Sequence, residues 1–345
     1  MTQVTLSTAA PAAESSAVPD PLDPGEAVLA AAVARRHFLE GESKVDLALS
    51  LGISRFKVAR LLETARESGM VTIEIVAPLG IDPERSERLG EALGLRHCVV
   101  VPGSGPQAGA GVSAAAAALL SEVVAERDVL GLPWSRSVSR MVGALQRLPE
   151  IPVVQLSGAM VTPGEDSSSV DVVRRAAQIA GGGRHVFYSP LLLDDAASAD
   201  VMRRQPPVRT ALSHVDDVTL AVIGLGGWTA GMSTIHGVLS PAERSAVAAA
   251  GAVGEAAGVF FDADGAVVET PVTARIVGLT GSQLRGIRHV IAIAHGIAKV
   301  EAITAAVKGH LVHSLVTTSE TADVLLAAGP QTRPSSTPRR RRTPR

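Results

Sequence analysis

Apolar positions along the chain change period near residue 80, and the change separates two kinds of segment. From Ser54 to about Ser68 the residues Val58, Leu61, Leu62 and Ala65 fall at i, i+3, i+4 and i+7, the stripe of an amphipathic helix. Ser54 reads as its N-cap. A shorter helix, Asp46 to Leu51, precedes it, with Leu51-Gly52-Ile53 as the turn between them. Gly52 can take the positive φ that such a turn needs, and Ala48 is small enough for the helices to cross closely. Glu26 to Leu39 supplies a third helix and Val71 to Val76 alternates like a short strand. Helix, helix, helix, strand is a winged helix-turn-helix order. A helical hairpin packed on its neighbour is the plainer alternative.

After the Pro/Gly link at Pro78 to Pro83 and a helix at Glu84 to Leu93, short apolar runs alternate with helical ones. Strands are expected at Cys98–Val101, Val129–Leu132, Val153–Leu156, Val186–Tyr188, Thr219–Gly224, Gly258–Asp262, Val290–Ala294 and Ser314–Thr317. Helices are expected at Ser113–Glu126, Ser137–Arg147, Val170–Ala180, Lys299–Val307 and Ser319–Ala328. This pattern implies a doubly wound, largely parallel α/β sheet covered on both faces. The expected division is a disordered stretch 1–24, a DNA-binding domain 25–78, a linker 79–83, an α/β domain 84–329 and a disordered tail 330–345.

Composition narrows this reading. Of the 345 residues 46% are hydrophobic but only 2% aromatic, so the core must be built from Ala, Val, Leu and Ile. Six arginines beyond residue 330 contribute +6 to a net charge of −2, which leaves −8 for the rest. Any nucleic-acid contact is therefore local. The tail is expected to add salt-dependent, non-specific DNA affinity. Residues 24–78 balance seven basic against seven acidic side chains, but Arg55, Lys57 and Arg60 crowd the start of the Ser54 helix. Cys98 is a lone thiol in an apolar run and is expected to be buried and structural. No signal peptide is evident, and Glu255 interrupts the longest apolar run, so a cytoplasmic protein without membrane spans is expected.

The candidate chemistry lies in two places. The first half of the Ser54 helix, with Ser54, Arg55, Phe56, Lys57, Arg60 and Thr64, can enter a major groove of double-stranded DNA. Glu63 and Glu67 keep its second half from phosphate. The other place is a set of strand ends. Gly131-Leu-Pro-Trp-Ser-Arg-Ser137 and His295-Gly-Ile-Ala-Lys299 each follow a strand and open a helix, where free N–H groups favour an anion. Phe260-Phe-Asp-Ala-Asp-Gly265 adds a carboxylate that can accept sugar hydroxyls or can be a plain turn. No nucleophile elbow or Walker lysine occurs, Gly224-Leu-Gly-Gly227 lacks dinucleotide spacing, and His310 with His313 lacks further zinc ligands. No metal or cofactor is expected.

With these motifs in place the chain resembles the SorC/DeoR-type sugar-binding transcriptional regulators over about residues 25–329. The matching stretches include GLPWSRSV, VVQLSGAM, GLGG, FFDADGAVV and VIAIAHGIAKVEAITAAVKGHLVHSLVTTSETADVLL. The resemblance implies a winged helix-turn-helix joined to an effector domain similar to sugar-phosphate isomerases. It implies a repressor of a carbohydrate operon, a sugar or sugar-phosphate effector and a homo-oligomer, dimer or tetramer. It places Ser135, Arg136 and Ser137 on the phosphate loop, Lys299 as the lysine completing it, and Gln155 and Asp262 near the sugar end. An isomerase or deaminase carrying a DNA-binding segment is the alternative.

Overall fold

The computed structural model describes residues 2–6, 23–75, 80–104, 108–160 and 168–328. The chain forms two compact units, Met1–Pro78 and Leu79–Arg345. The expected arginine tail lies outside the described residues.

In the first unit a strand β1 (Thr2–Leu6) precedes helices α1 (Pro24–Phe38), α2 (Lys44–Leu51) and α3 (Arg55–Glu67) and a strand β2 (Val71–Ile75). Local chemistry sets the helix ends. The Ser43 hydroxyl accepts the Asp46 N–H and the Ser54 hydroxyl accepts the Lys57 N–H, so both N-termini are capped. Gly52 closes α2 at φ 63°, the left-handed conformation open to glycine. Val58, Leu61, Leu62 and Ala65 are all buried against Ala30, Val33 and Ala34 of α1 and Leu47 of α2. Phe56 on the opposite face stays 89% exposed. One expectation changes: residues 2–6, within the stretch expected to be disordered, pair antiparallel with β2. The alternating, β-branched sequence TQVTL suits a strand, and the pairing satisfies backbone groups that β2 alone would leave open.

The second unit runs α4 (Pro83–Leu93), β3 (His97–Val101), α5 (Gly109–Val123), β4 (Leu130–Leu132), α6 (Arg136–Ala144), β5 (Val153–Gln155), α7 (Ser169–Ala180) and β6 (Arg184–His185). Two helices follow, α8 (Ala196–Arg204) and α9 (Pro206–Ser213), then β7 (Leu220–Gly227), α10 (Thr234–Val238) and α11 (Pro241–Ala249). A hairpin of β8 (Gly254–Ala256) and β9 (Val259–Phe261) precedes α12 (Gly281–Gly286), β10 (His289–Ile293), α13 (Val300–Lys308), β11 (Ser314–Thr318) and α14 (Ser319–Ala327).

Seven strands form a parallel sheet in the order β3-β11-β10-β7-β4-β5-β6. Both faces are covered. Ala221, Ile223, Val290, Ala292 and Leu315 pack on one side, while Leu220, Val222, Ile291, Ile293 and Val316 pack on the other. The strand alternation thus feeds two cores, as the near-continuous apolar runs require. From β4 the chain winds outward through β5 and β6, and from β7 it winds the opposite way through β10 and β11. The reversal leaves a crevice at the carboxyl ends of β4 and β7, where ligands of such sheets bind.

Some elements differ from the sequence reading. The strand expected at Val186–Tyr188 is a two-residue edge strand at Arg184–His185, after which the Phe187 N–H turns inward to the buried Gln155 carboxamide. The strand expected at Gly258–Asp262 lies in the β8–β9 hairpin beside β7. Helices α8 to α12 have no counterpart in the reading. Pro206 and Pro207 look like breaks, yet they occupy the first turn of α9, where the missing N–H costs no helical bond. Cys98 is half-buried, and burial pushes its thiol up to about 12, which keeps it inert at neutral pH.

A histidine group lies at the amino ends of β3, β10 and β11, opposite the crevice. His289 is 8% exposed, bonds Ser314 Oγ at 2.8 Å and stands near His97 and His313. Burial, reinforced by Arg96, His97, His313 and Arg288, holds its imidazole down at about 4. An unfolded histidine titrates near 6.5, so the unfolded chain binds this proton first. Stability should be full above about pH 6.5, fall as pH drops toward 4, and level off there, by about 1–3 kcal/mol. Urea unfolding of wild type and His289→Gln at pH 7 and pH 5 checks this. The variant should lose less stability between the two values, and equal losses would exclude His289 as the cause.

Candidate functional site

The crevice is built from three strand ends. After β4, Ser135 caps α6: its hydroxyl accepts the Val138 N–H at 3.1 Å. This places Arg136 in the first helical turn and Arg140 one turn later on the same face. After β10, the Gly296 N–H donates to Thr321 Oγ1 and the chain turns at 297–299 into α13. Lys299 Nζ donates to the Leu225 carbonyl of β7 at 2.8 Å.

The third strand end, Gly224-Leu-Gly-Gly227 of β7, explains itself by what stands against it. A Cβ on Gly224 would meet Ser135 Oγ at 2.5 Å, one on Gly226 would meet Glu255 Oε1 at 2.8 Å, and one on Gly227 would meet the Ala298 carbonyl at 3.0 Å. The glycines are the floor that lets Ser135, Glu255 and the turn before Lys299 converge. They are not a dinucleotide fingerprint.

Charge is concentrated here: Glu255 is buried, Lys299 and His295 are half-buried and Arg136 is exposed. Glu255 is 9% exposed; its carboxylate accepts the Ser233 hydroxyl at 3.0 Å and the Gly258 N–H at 3.4 Å. Burial pushes its pKa up, opposed by Ser233, Gly258 and Lys299. Burial pulls Lys299 down, the Glu255 carboxylate raises it, and Arg136 lowers it again. His295 is also held down by burial, then by Lys299 and Arg140, so it is neutral at pH 7. A cavity of about 40 Å³ opens beside these groups, lined among others by Trp134, Ser135, Ser157, Thr234 and Glu255. Two cations and a capped helix N-terminus at the edge of a buried carboxylate suit a ligand with an anionic end and a hydroxyl-bearing body.

The structure brings Ser135, Arg136 and Lys299 together, with Ser137 in the same first turn of α6. Ser137 is half-buried and its carbonyl accepts the Ser113 hydroxyl. It does not bring Gln155 and Asp262 there. Gln155 is fully buried, and its amide is used up by the Ser157 carbonyl, Ser169 Oγ and the Phe187 N–H. It supports the cleft wall from behind. Asp262 Oδ1 accepts the Asp264 and Ala266 N–H groups within a turn. That turn lies at the far end of α13: Gly265 abuts Ala305 and Gly309, and Asp264 pairs with Lys308. Lys299 precedes the other end, about 13 Å away along a nine-residue helix. The carboxylate of the cleft is Glu255, whose sequence signal was a single acid inside an apolar run. Arg140 could have been found from its i, i+4 spacing to Arg136.

In the first unit Ser54, Arg55, Phe56, Lys57 and Arg60 share an exposed surface at the start of α3, with Thr64 half-buried beyond them. Arg60 is not idle: its guanidinium bonds Glu26 of α1 at 2.9 Å.

Fold and cleft together define a ligand-binding α/β domain. Residues 80–327 match the family model described as a putative sugar-binding domain, and the chain belongs to that family, the SorC/DeoR-type sugar-binding transcriptional regulators. It is similar to the erythritol catabolism regulatory protein EryD of Brucella abortus, 28% identical over 305 residues, 86% of this chain and 96% of the relative. It is similar also to the sorbitol operon regulator of Klebsiella pneumoniae, 26% identical over 302 residues, 85% and 96% of the two chains. The crystal structure of the full-length SorC from that organism shares the fold with a TM-score of 0.66 at 25% identity, covering 88% of this chain and 99% of its own. These relatives are transcriptional regulators and not enzymes, which sets the isomerase alternative aside. Among the described residues no group of His, Cys, Asp and Glu could hold a metal, and no helix is long and apolar enough to cross a membrane.

Proposed function

We propose that this protein is a cytoplasmic repressor of a carbohydrate operon whose first unit is a winged helix-turn-helix and whose second unit senses a sugar phosphate. The observation that carries the reading is the convergence of Arg136, Lys299 and the Ser135-capped start of α6 on the glycine end of β7. A phosphate dianion is the ligand group that uses both cations and the free N–H groups at once. Glu255, Ser157 and Thr234 line the space beside it and suit hydroxyls. In the first unit the capped α3, with Arg55, Lys57 and Arg60 toward its start, is the element that fits a major groove. A symmetric homo-oligomer, dimer or tetramer, would place two such helices on the half-sites of a palindromic operator.

Selection of bound genomic fragments, repeated with each member of a panel of polyol and sugar phosphates, tests the reading. One operator family should be enriched, and one class of phosphate should release it. Release by the unphosphorylated partner at equal concentration would replace the phosphate site by a neutral-sugar site. No enrichment of any sequence would end the repressor reading.

A further inference from the structure

The cleft contains a hydrogen-bond donor that the fold leaves unused. Trp134 is 7% exposed, and its indole Nε1 is buried with no hydrogen-bond partner among the described residues. The protein's other tryptophan, Trp228, is equally buried, but its indole N–H donates to the Arg244 carbonyl at 3.3 Å. The difference is one of position: Trp134 lines the cavity of about 40 Å³ and Trp228 does not. A buried N–H without an acceptor is costly, and proteins seldom keep one unless something else satisfies it. The backbone at Trp134 is fixed, since its N–H bonds Ser157 Oγ at 3.4 Å and Ser135 immediately after it caps α6. The ring itself is packed into the core beneath α6. The buried carboxylate of Glu255 lines the same cavity, with Ser233 and Gly258 already donating to it.

We propose that the Trp134 indole N–H is the specificity donor for the polyhydroxylated part of the effector, binding one hydroxyl oxygen whose proton goes to Glu255. A hydroxyl both accepts and donates, so it satisfies the indole N–H and adds one more donor to the carboxylate. An apolar or deoxygenated group at that position leaves the indole N–H unpaired and is rejected. The assignment rests on the effector-cleft reading above and adds which end of the ligand is read and by what. The phosphate end is held by Ser135, Arg136 and Lys299; the hydroxyl end meets Trp134.

Two tryptophans allow a direct test. Protein labelled with ¹⁵N-tryptophan gives two indole N–H signals, and the Trp228→Phe variant retains only that of Trp134. Sorbitol 6-phosphate, erythritol 4-phosphate, glucose 6-phosphate and inorganic phosphate are titrated in turn. The organic phosphate that binds best should move the Trp134 signal downfield and leave Trp228 in place, while inorganic phosphate leaves the Trp134 signal unshifted. Trp134→Phe should bind that compound about tenfold more weakly with unchanged affinity for inorganic phosphate. If Trp134→Phe does not fold, the signal shift in Trp228→Phe decides alone. An unmoved Trp134 signal on binding, or equal affinity in Trp134→Phe, overturns the proposal, although a dependence on Lys299 would still uphold the cleft. If none of the organic phosphates binds wild type, the cleft reading fails and the proposal with it.

Discussion

Lys299→Met should bind a phosphorylated effector about 2–3 kcal/mol more weakly than wild type, roughly 30- to 150-fold, and should scarcely alter binding of the matching unphosphorylated sugar. The reason is the position of the ammonium group. Lys299 is half-buried and held by the Leu225 carbonyl beside Arg136 and Glu255. The same substitution leaves the Glu255 carboxylate without its cation, so Glu255 should shift further toward its neutral form. Arg136→Gln separates the two effects, because it weakens the phosphate site without removing the cation beside Glu255. Calorimetric titration of matched sugar and sugar-phosphate pairs reads both. Undiminished phosphate affinity in Lys299→Met would move the anion site elsewhere.

The second large effect belongs to operator DNA. Arg60→Ala should cost about 1–3 kcal/mol if the guanidinium reads a base edge, and it should relax preference at one position. Lys57→Ala should weaken all sequences alike and reduce the salt slope by about one. Arg60 is bonded to Glu26, so docking requires it to exchange a carboxylate for DNA. An exposed pair of this kind contributes only about 0–1 kcal/mol. Glu26→Gln should consequently bind the operator slightly more tightly, with faster association at low salt. Fluorescence anisotropy over a salt series measures all three. If the Arg60→Ala, Lys57→Ala double variant binds as wild type does, α3 is not the reading helix.

Much of this architecture was legible because it is local. The Ser54 cap, the Gly52 turn and the stripe Val58, Leu61, Leu62, Ala65 each depend on neighbours within one or two turns. The parallel strands showed as short apolar runs because both faces of the sheet are buried. Ser135, Arg136 and Lys299 were legible as helix starts after strands. Glu255 was not, since an acid in an apolar run signals burial without naming its partners: Gly258 in its own hairpin turn, and Ser233 and Lys299 from two other stretches. Asp262 was misplaced for the complementary reason. A carboxylate after an apolar run looks like a strand-end ligand, but only the hairpin's course along α13 shows that its Oδ1 serves its own turn.

The glycine end of β7 has a consequence for anyone wishing to retune this protein as a sensor. At Gly224, Gly226 and Gly227 the neighbouring atoms already occupy the space of a methyl group, so variation there disables the cleft before it changes its preference. The side walls are different: Met160, Thr234 and Ile235 face the cavity with side chains of adjustable length and polarity. Libraries that hold the three glycines, Ser135, Arg136 and Lys299 constant and diversify those walls should yield altered inducers, whereas libraries on the floor should yield mostly proteins that no longer respond.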